Sequence, residues 1–133
     1  MDDAAVHVVA RGRYCFVILN AYPYNNGHVM VVPYEHASDL TGLATEVAQE
    51  LFTFTRRAVD AIRRAMQPSG FNIGMNLGQV AGAGIADHLH MHVVPRWAGD
   101  TNFMSVVGET RLIPQSLDDT WTVLRKAGVD AHS

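Results

Sequence analysis

The stretch His88-Leu89-His90-Met91-His92-Val93-Val94 alternates imidazole and apolar side chains with a period of two. Successive side chains on a β-strand point to opposite faces, so this alternation predicts a strand over His88–Trp97 with three histidines on one face. Leu89, Met91 and Val93 then face the other way, into a core covered by a helix. That pattern constrains the fold to a sheet packed on one side.

The rest of the chain supplies the parts. Tyr14–Asn20 is aromatic and β-branched and reads as a buried strand, and Gly27–Tyr34 as a second, ended by Pro33. Between them, Tyr22-Pro23-Tyr24-Asn25-Asn26-Gly27 is turn chemistry. Val6–Val9 adds a short edge strand. Glu46–Met66 predicts the long helix, because Val47, Leu51, Phe54, Ala58, Ile62 and Met66 recur at spacings of three and four. Phe71–Leu77 reads as a third long strand, Gly78–Ala86 as a glycine-rich loop, and Leu117–Lys126 as a short helix. Hairpin, helix, hairpin and tail make an α+β domain, a mainly antiparallel sheet with helices on one face. One domain over 1–133 suits the length.

Composition removes several function classes. Apolar residues make up 48% and charged residues 17%, so a compact globule is expected rather than a disordered chain. A net charge of −3 argues against a broad basic surface for nucleic acid, and the helix arginines Arg56, Arg57, Arg63 and Arg64 read as a solvated face. The N-terminus is acidic and lacks a signal-peptide pattern. The uncharged run Tyr14–Tyr34 is broken by Asn20, Pro23, Asn25, Asn26 and Gly27, which a bilayer span tolerates poorly. The expectation is a cytoplasmic protein with no membrane partner. The single cysteine, Cys15, lies in an apolar strand and reads as a small buried hydrophobe. Lys126 is the only lysine and no GxxxxGK[ST] pattern occurs, so a P-loop site is excluded.

Seven histidines are the excess to be explained. Two chemistries compete for the three on the strand. A His-x-His pair can bring two imidazoles to one zinc, but the outer Cα atoms stand roughly 13 Å apart on a straight strand. Asp87 points to the opposite face and no carboxylate pair completes a cage. Nucleophilic catalysis fits better. A ring with a pKa near 6.5 is largely neutral at pH 7 and can attack phosphorus without an external base. A neighbouring imidazole can stabilise the phosphate or the leaving group. Gly78, Gly82 and Gly84 can offer backbone N–H groups to the same phosphate, or serve simply as a flexible connection.

His88-Leu89-His90-Met91-His92-Val93-Val94 is similar to the pattern His-φ-His-φ-His-φ-φ that names the histidine triad (HIT) family. Asn20 through Pro33 resembles the family's strand pair with its Gly-His element, and Pro95-Arg96-Trp97-Ala98-Gly99-Asp100 resembles the tail of the fragile-histidine-triad branch. The likeness runs from about Tyr14 to Lys126. It implies a HIT-like fold, with one long helix, one or two short ones, and a sheet extended across a homodimer. It also implies roles. His90 resembles the nucleophile that becomes a nucleotidyl-histidine, and His92 the donor to the phosphate or leaving-group oxygen. His88 resembles the residue that holds the nucleophilic ring through hydrogen bonds, and His28 the fourth active-site histidine. Asn20 matches a ribose contact and Asn76 an amide that orients phosphates; Gly82 and Gly84 complete the substrate contacts.

The resemblance therefore implies a nucleotidyl hydrolase or transferase that cleaves a dinucleoside polyphosphate at the α-phosphate, with water or phosphate as acceptor. No cofactor and no metal is expected. The Gly84-Ile85-Ala86 stretch lacks the hydroxyl that the phosphoramidase branch uses, and Ala81-Gly82-Ala83-Gly84-Ile85 resembles bacterial diadenosine polyphosphate hydrolases and phosphorylases. Nucleoside phosphoramidase or monophosphate hydrolase is the alternative. A metal-binding module and a nucleotide-binding signalling partner stand behind it. His36 is expected to cap or pair near the first helix, and His7 and His132 to be exposed. Arg96 is expected at the core rim or against Asp100.

Overall fold

A computed structural model of the chain describes residues 2–20, 26–78, 88–99 and 116–129. Five strands, β1 (Val8–Arg11), β2 (Cys15–Leu19), β3 (Val29–Pro33), β4 (Gly70–Gly74) and β5 (Met91–Arg96), form one sheet in the order β1-β2-β3-β5-β4. Every neighbouring pair is antiparallel. Among the described residues three α-helices accompany it: α1 (Asp3–Val6), α2 (Thr45–Met66) and α3 (Leu117–Ala127). The architecture is the α+β arrangement expected from the residues.

The core lies between α2 and one face of the sheet. Cys15, Val17 and Leu19 from β2, Val29 and Val31 from β3, and Val93 from β5 are buried there. They meet the stripe Val47, Leu51, Phe54, Ala58 and Ile62 of α2, which Thr55 and Ala61 widen. Thr55 is accommodated in the helix because its hydroxyl donates to the Leu51 carbonyl at 2.8 Å. α3 closes the β1 side, where Trp121 Nε1 donates to the Val8 carbonyl and Arg125 to the Val9 carbonyl. Among the described residues no helix is long and apolar enough to cross a membrane.

Three strand expectations shift. The N-terminal strand begins at Val8, because Asp2 caps a turn of helix over Asp3–Val6 and His7 reverses the chain with φ of 60°. The strand after α2 stops at Gly74 rather than at Leu77. The histidine strand starts at Met91, not His88. The β3–β5 register puts Val31 opposite Met91, and continuing it would put Pro33 opposite Leu89. Proline has no N–H for the ladder. The Leu89 N–H bonds to the Ala37 carbonyl at 2.7 Å instead.

Candidate active site

Odd-numbered residues of β2, β3 and β5 point to α2, so even-numbered ones occupy the opposite face. Asn20, His28, His90 and His92 all have that parity. The β2–β3 register, Leu19 against Val29, places Asn20 directly across from His28, and the Asn20 N–H bonds to the His28 carbonyl at 2.9 Å. Met30 pairs with His92, which puts His28 diagonal to it. Gly27 makes this approach possible. Its φ is +76°, and a Cβ there would lie 2.8 Å from Met66 Sδ and 3.2 Å from Pro95 Cγ.

Four side chains form a continuous hydrogen-bonded row. Asn20 Nδ2 lies 3.0 Å from His28 Nδ1, closer than its 3.4 Å approach to Nε2. His28 Nε2 lies 2.9 Å from His92 Nδ1. His92 Nε2 lies 3.0 Å from His90 Nε2, and His90 Nδ1 lies 2.8 Å from the His88 carbonyl oxygen. The last link decides the rest. A carbonyl only accepts, so His90 carries its proton on Nδ1. With neutral rings, His90 Nε2 is then an acceptor and His92 Nε2 must donate to it. His92 Nδ1 accepts from His28 Nε2–H, and His28 Nδ1 accepts from the Asn20 amide. Every group is satisfied and every proton has one place.

The surroundings favour neutral rings. His28 is only 7% exposed. Burial, reinforced by the nearby His92 and His90 rings, pushes its pKa down to about 4. Burial first and His90 second also lower His92. With His28 and His92 neutral, the row presents His90 Nε2 as the acceptor and His92 Nε2–H as the donor beside it, the pair of functions that attack at phosphorus requires.

His88 holds the His90 ring by a hydrogen bond, as expected, but through its carbonyl, while its own ring turns elsewhere. Its Nε2 donates to the Pro33 carbonyl at 2.9 Å, and the ring stands edge-on to His36 at 5.2 Å between centroids. Only two triad rings meet each other, and His88 holds His90 through its main chain. His36 therefore belongs beside the triad rather than at a helix end; no local pattern marks it, because the contact is made across the fold. His7 is half-buried and pairs with Asp118 at 2.8 Å, contrary to the expectation of exposure. Arg96 donates to Asn72 Oδ1 at 2.7 Å. Cys15 is buried, and burial, with Glu50 adding to it, pushes its thiol up to about 12. Asn76 is exposed just beyond β4. Gly82, Gly84, Asp100 and His132 lie outside the described residues. Among the described residues no three His, Cys, Asp or Glu side chains converge as a metal cage requires.

Comparison with known proteins identifies the family. The HIT domain profile matches residues 3–99. The chain is 50% identical over 124 residues to the AP-4-A phosphorylase of Mycobacterium tuberculosis, covering 93% of this chain and 64% of that protein. It thus spans less than two-thirds of that relative's length. Among solved structures, a zinc-bound histidine triad family protein from Mycobacterium smegmatis superposes with a TM-score of 0.75 at 28% identity, covering 92% of this chain and 83% of that one. The C. elegans NitFhit protein gives 0.75 at 25% identity, with 92% and 27% covered. A profile spanning most of the chain, a relative at half identity and solved structures of the same fold lead to one conclusion: this chain belongs to the histidine triad (HIT) family.

Proposed function

We propose that this protein cleaves dinucleoside polyphosphates, such as diadenosine tetraphosphate, at the α-phosphate through a nucleotidyl-His90 intermediate. The observation that carries the reading is the placement of His90 Nε2: its ring is fixed by the His88 carbonyl, and a donor imidazole stands 3.0 Å away. The 50% identity to an AP-4-A phosphorylase supports the substrate class.

When a phosphate enters, the His92 Nε2–H turns from His90 to an oxygen of the α-phosphate or leaving group. The freed lone pair of His90 Nε2 attacks phosphorus, the bond to the bridging oxygen breaks, and the polyphosphate leaves as an anion. Nδ1–H stays on the His88 carbonyl, which stabilises the positive charge the attacked ring acquires. Phosphate or water then attacks the same phosphorus and returns His90 to its neutral form. From diadenosine tetraphosphate the first step releases ATP; the second yields ADP with phosphate as acceptor and AMP with water. Asn20 is assigned to the ribose, and Asn76, Gly82 and Gly84 to the phosphates.

The reading includes a homodimer. β4 is a sheet edge, and Ile73 on it and Leu77 just beyond are 49% and 41% exposed. A second copy pairing there would extend the sheet and cover them. The protein is placed in the cytoplasm, where Cys15 stays a buried free thiol.

One product assay tests the function. Diadenosine tetraphosphate with inorganic phosphate is expected to give ATP and ADP, and without it ATP and AMP. Turnover of adenosine phosphoramidate with neither dinucleotide product would replace this reading by the phosphoramidase one. Sedimentation of the wild type against Ile73→Lys tests the dimer, which a monomeric wild type would overturn.

A further inference from the structure

The direction of the imidazole row needs a cause at each end. The His88 carbonyl supplies one, as an obligate acceptor. At the other end, His28 Nδ1 must find a donor, because its Nε2–H is committed to His92. An acceptor at that position would call for a proton on Nδ1. His28 would then have to become a cation, or the row would have to reverse. Reversal would remove the proton from His92 Nε2 and face two lone pairs across the 3.0 Å gap to His90. The cation would stand in a site 7% exposed, whose titratable neighbours are His92 and His90, two further imidazoles. The donor present is the Asn20 amide, 3.0 Å from Nδ1, and its own backbone is pinned opposite His28 by the β2–β3 pairing.

We infer that Asn20 is a positioning residue that fixes the direction of the imidazole row and so keeps the proton on His92 Nε2, two rings away. This role is separate from a ribose contact. It rests on the proposed function only in making that proton the donor to the leaving group. The tautomers themselves can be read in the free protein.

The experiment uses the 133-residue chain labelled with 15N-histidine. In the wild type at pH 7.5, His28 and His92 are expected to be protonated on Nε2 and His90 on Nδ1. In Asn20→Ala, with circular dichroism and melting point confirming the fold, His28 and His92 should lose the single Nε2 form and show mixed tautomers. In Asn20→Asp, the carboxylate should hold a proton on His28 Nδ1 and convert His28 to the doubly protonated form at pH 7.5. Unchanged His28 and His92 tautomers in both variants would overturn the inference, whatever the enzyme's substrate. Kinetics supply the second arm. Asn20→Ala should lower kcat by about ten- to a hundredfold, and equally on a dinucleotide lacking the ribose hydroxyls. A loss confined to KM, or one that vanishes with the deoxy substrate, would assign Asn20 to the ribose alone and overturn the positioning role.

Discussion

The sheet carries two clusters of shielded polar groups, and they are built on opposite plans. At the β1–β2 turn, the Glu50 carboxylate from α2 accepts backbone N–H groups from Tyr14 and Cys15, both at 2.6 Å, and from Arg13 at 3.1 Å. On the far face, three imidazoles and an amide bond in a row to the His88 carbonyl. Both clusters satisfy their members. In the first, every donor is an amide and the acceptor is a carboxylate, so only one arrangement of protons exists. In the second, each ring can place its proton on either nitrogen, and the groups at the two ends choose. The first plan locks a turn; the second leaves the place of each proton to the groups at the two ends of the row.

Substitutions can break this contrast, and the largest effect falls on the ring at the end of the row. His90→Ala should lower turnover of diadenosine tetraphosphate by about a thousandfold or more. It should also abolish acid-trapped phosphorus label on the protein while the melting point moves little. Wild-type turnover in that variant would remove the nucleotidyl-histidine mechanism. Next comes His92→Phe, which keeps a ring and deletes the donor. A fall in kcat of about a hundred- to ten-thousandfold is expected, steeper for substrates with poor leaving groups; an equal loss for all leaving groups would show that His92 only packs.

Glu50→Ala tests the other cluster. It should cost about 2–4 kcal/mol in denaturant unfolding, since three N–H groups lose a charged acceptor, and leave kcat near wild type. A loss of activity without a loss of stability would erase the distinction between the two clusters. Gly12→Ala should destabilise the same turn sterically, because its Cβ would collide with Phe54 Cε2 and lie 2.7 Å from Glu50 Oε2.

The smallest effect is a pH dependence belonging to the row alone. His28 has a folded-state pKa of about 4, below the value near 6.5 of an unfolded histidine. The unfolded chain therefore binds the extra proton first as pH falls. Stability is fully present above about pH 6.5 and declines from there through about 4, by roughly 2–3 kcal/mol. His28→Asn should flatten that part of the curve when unfolding is followed across the pH range. An unchanged slope would mean that His28 titrates as an ordinary exposed imidazole.

Much of this arrangement was legible in the residues. The stripe of α2, the two strands of the first hairpin and the shared parity of His90 and His92 follow from local periodicities of 3.6 and 2. Gly27-His28 was legible as turn followed by strand, and the family pattern singled out the same histidines. Legibility failed where a contact depends on two distant segments. The turn of helix before β1, which Asp2 caps, is a local exception that shifted the strand start. His7 reached Asp118, and His88 reached Pro33 and His36, through pairings that no neighbouring residue announces.

The sequence by itself determined which side chains lie on which face, because side-chain alternation is a steric property of each strand. It also pointed to imidazole, rather than lysine or thiolate, as the candidate reactive group. Only the tertiary structure decided the strand order, with β5 between β3 and β4, and hence that His28 lies beside His92. It alone decided that Asn20 stands across from His28 and that a main-chain carbonyl, not a third ring, orients His90. The physical reason is that a proton's place on an imidazole is set by its partner, and partners are brought together by pairing between segments far apart in the chain.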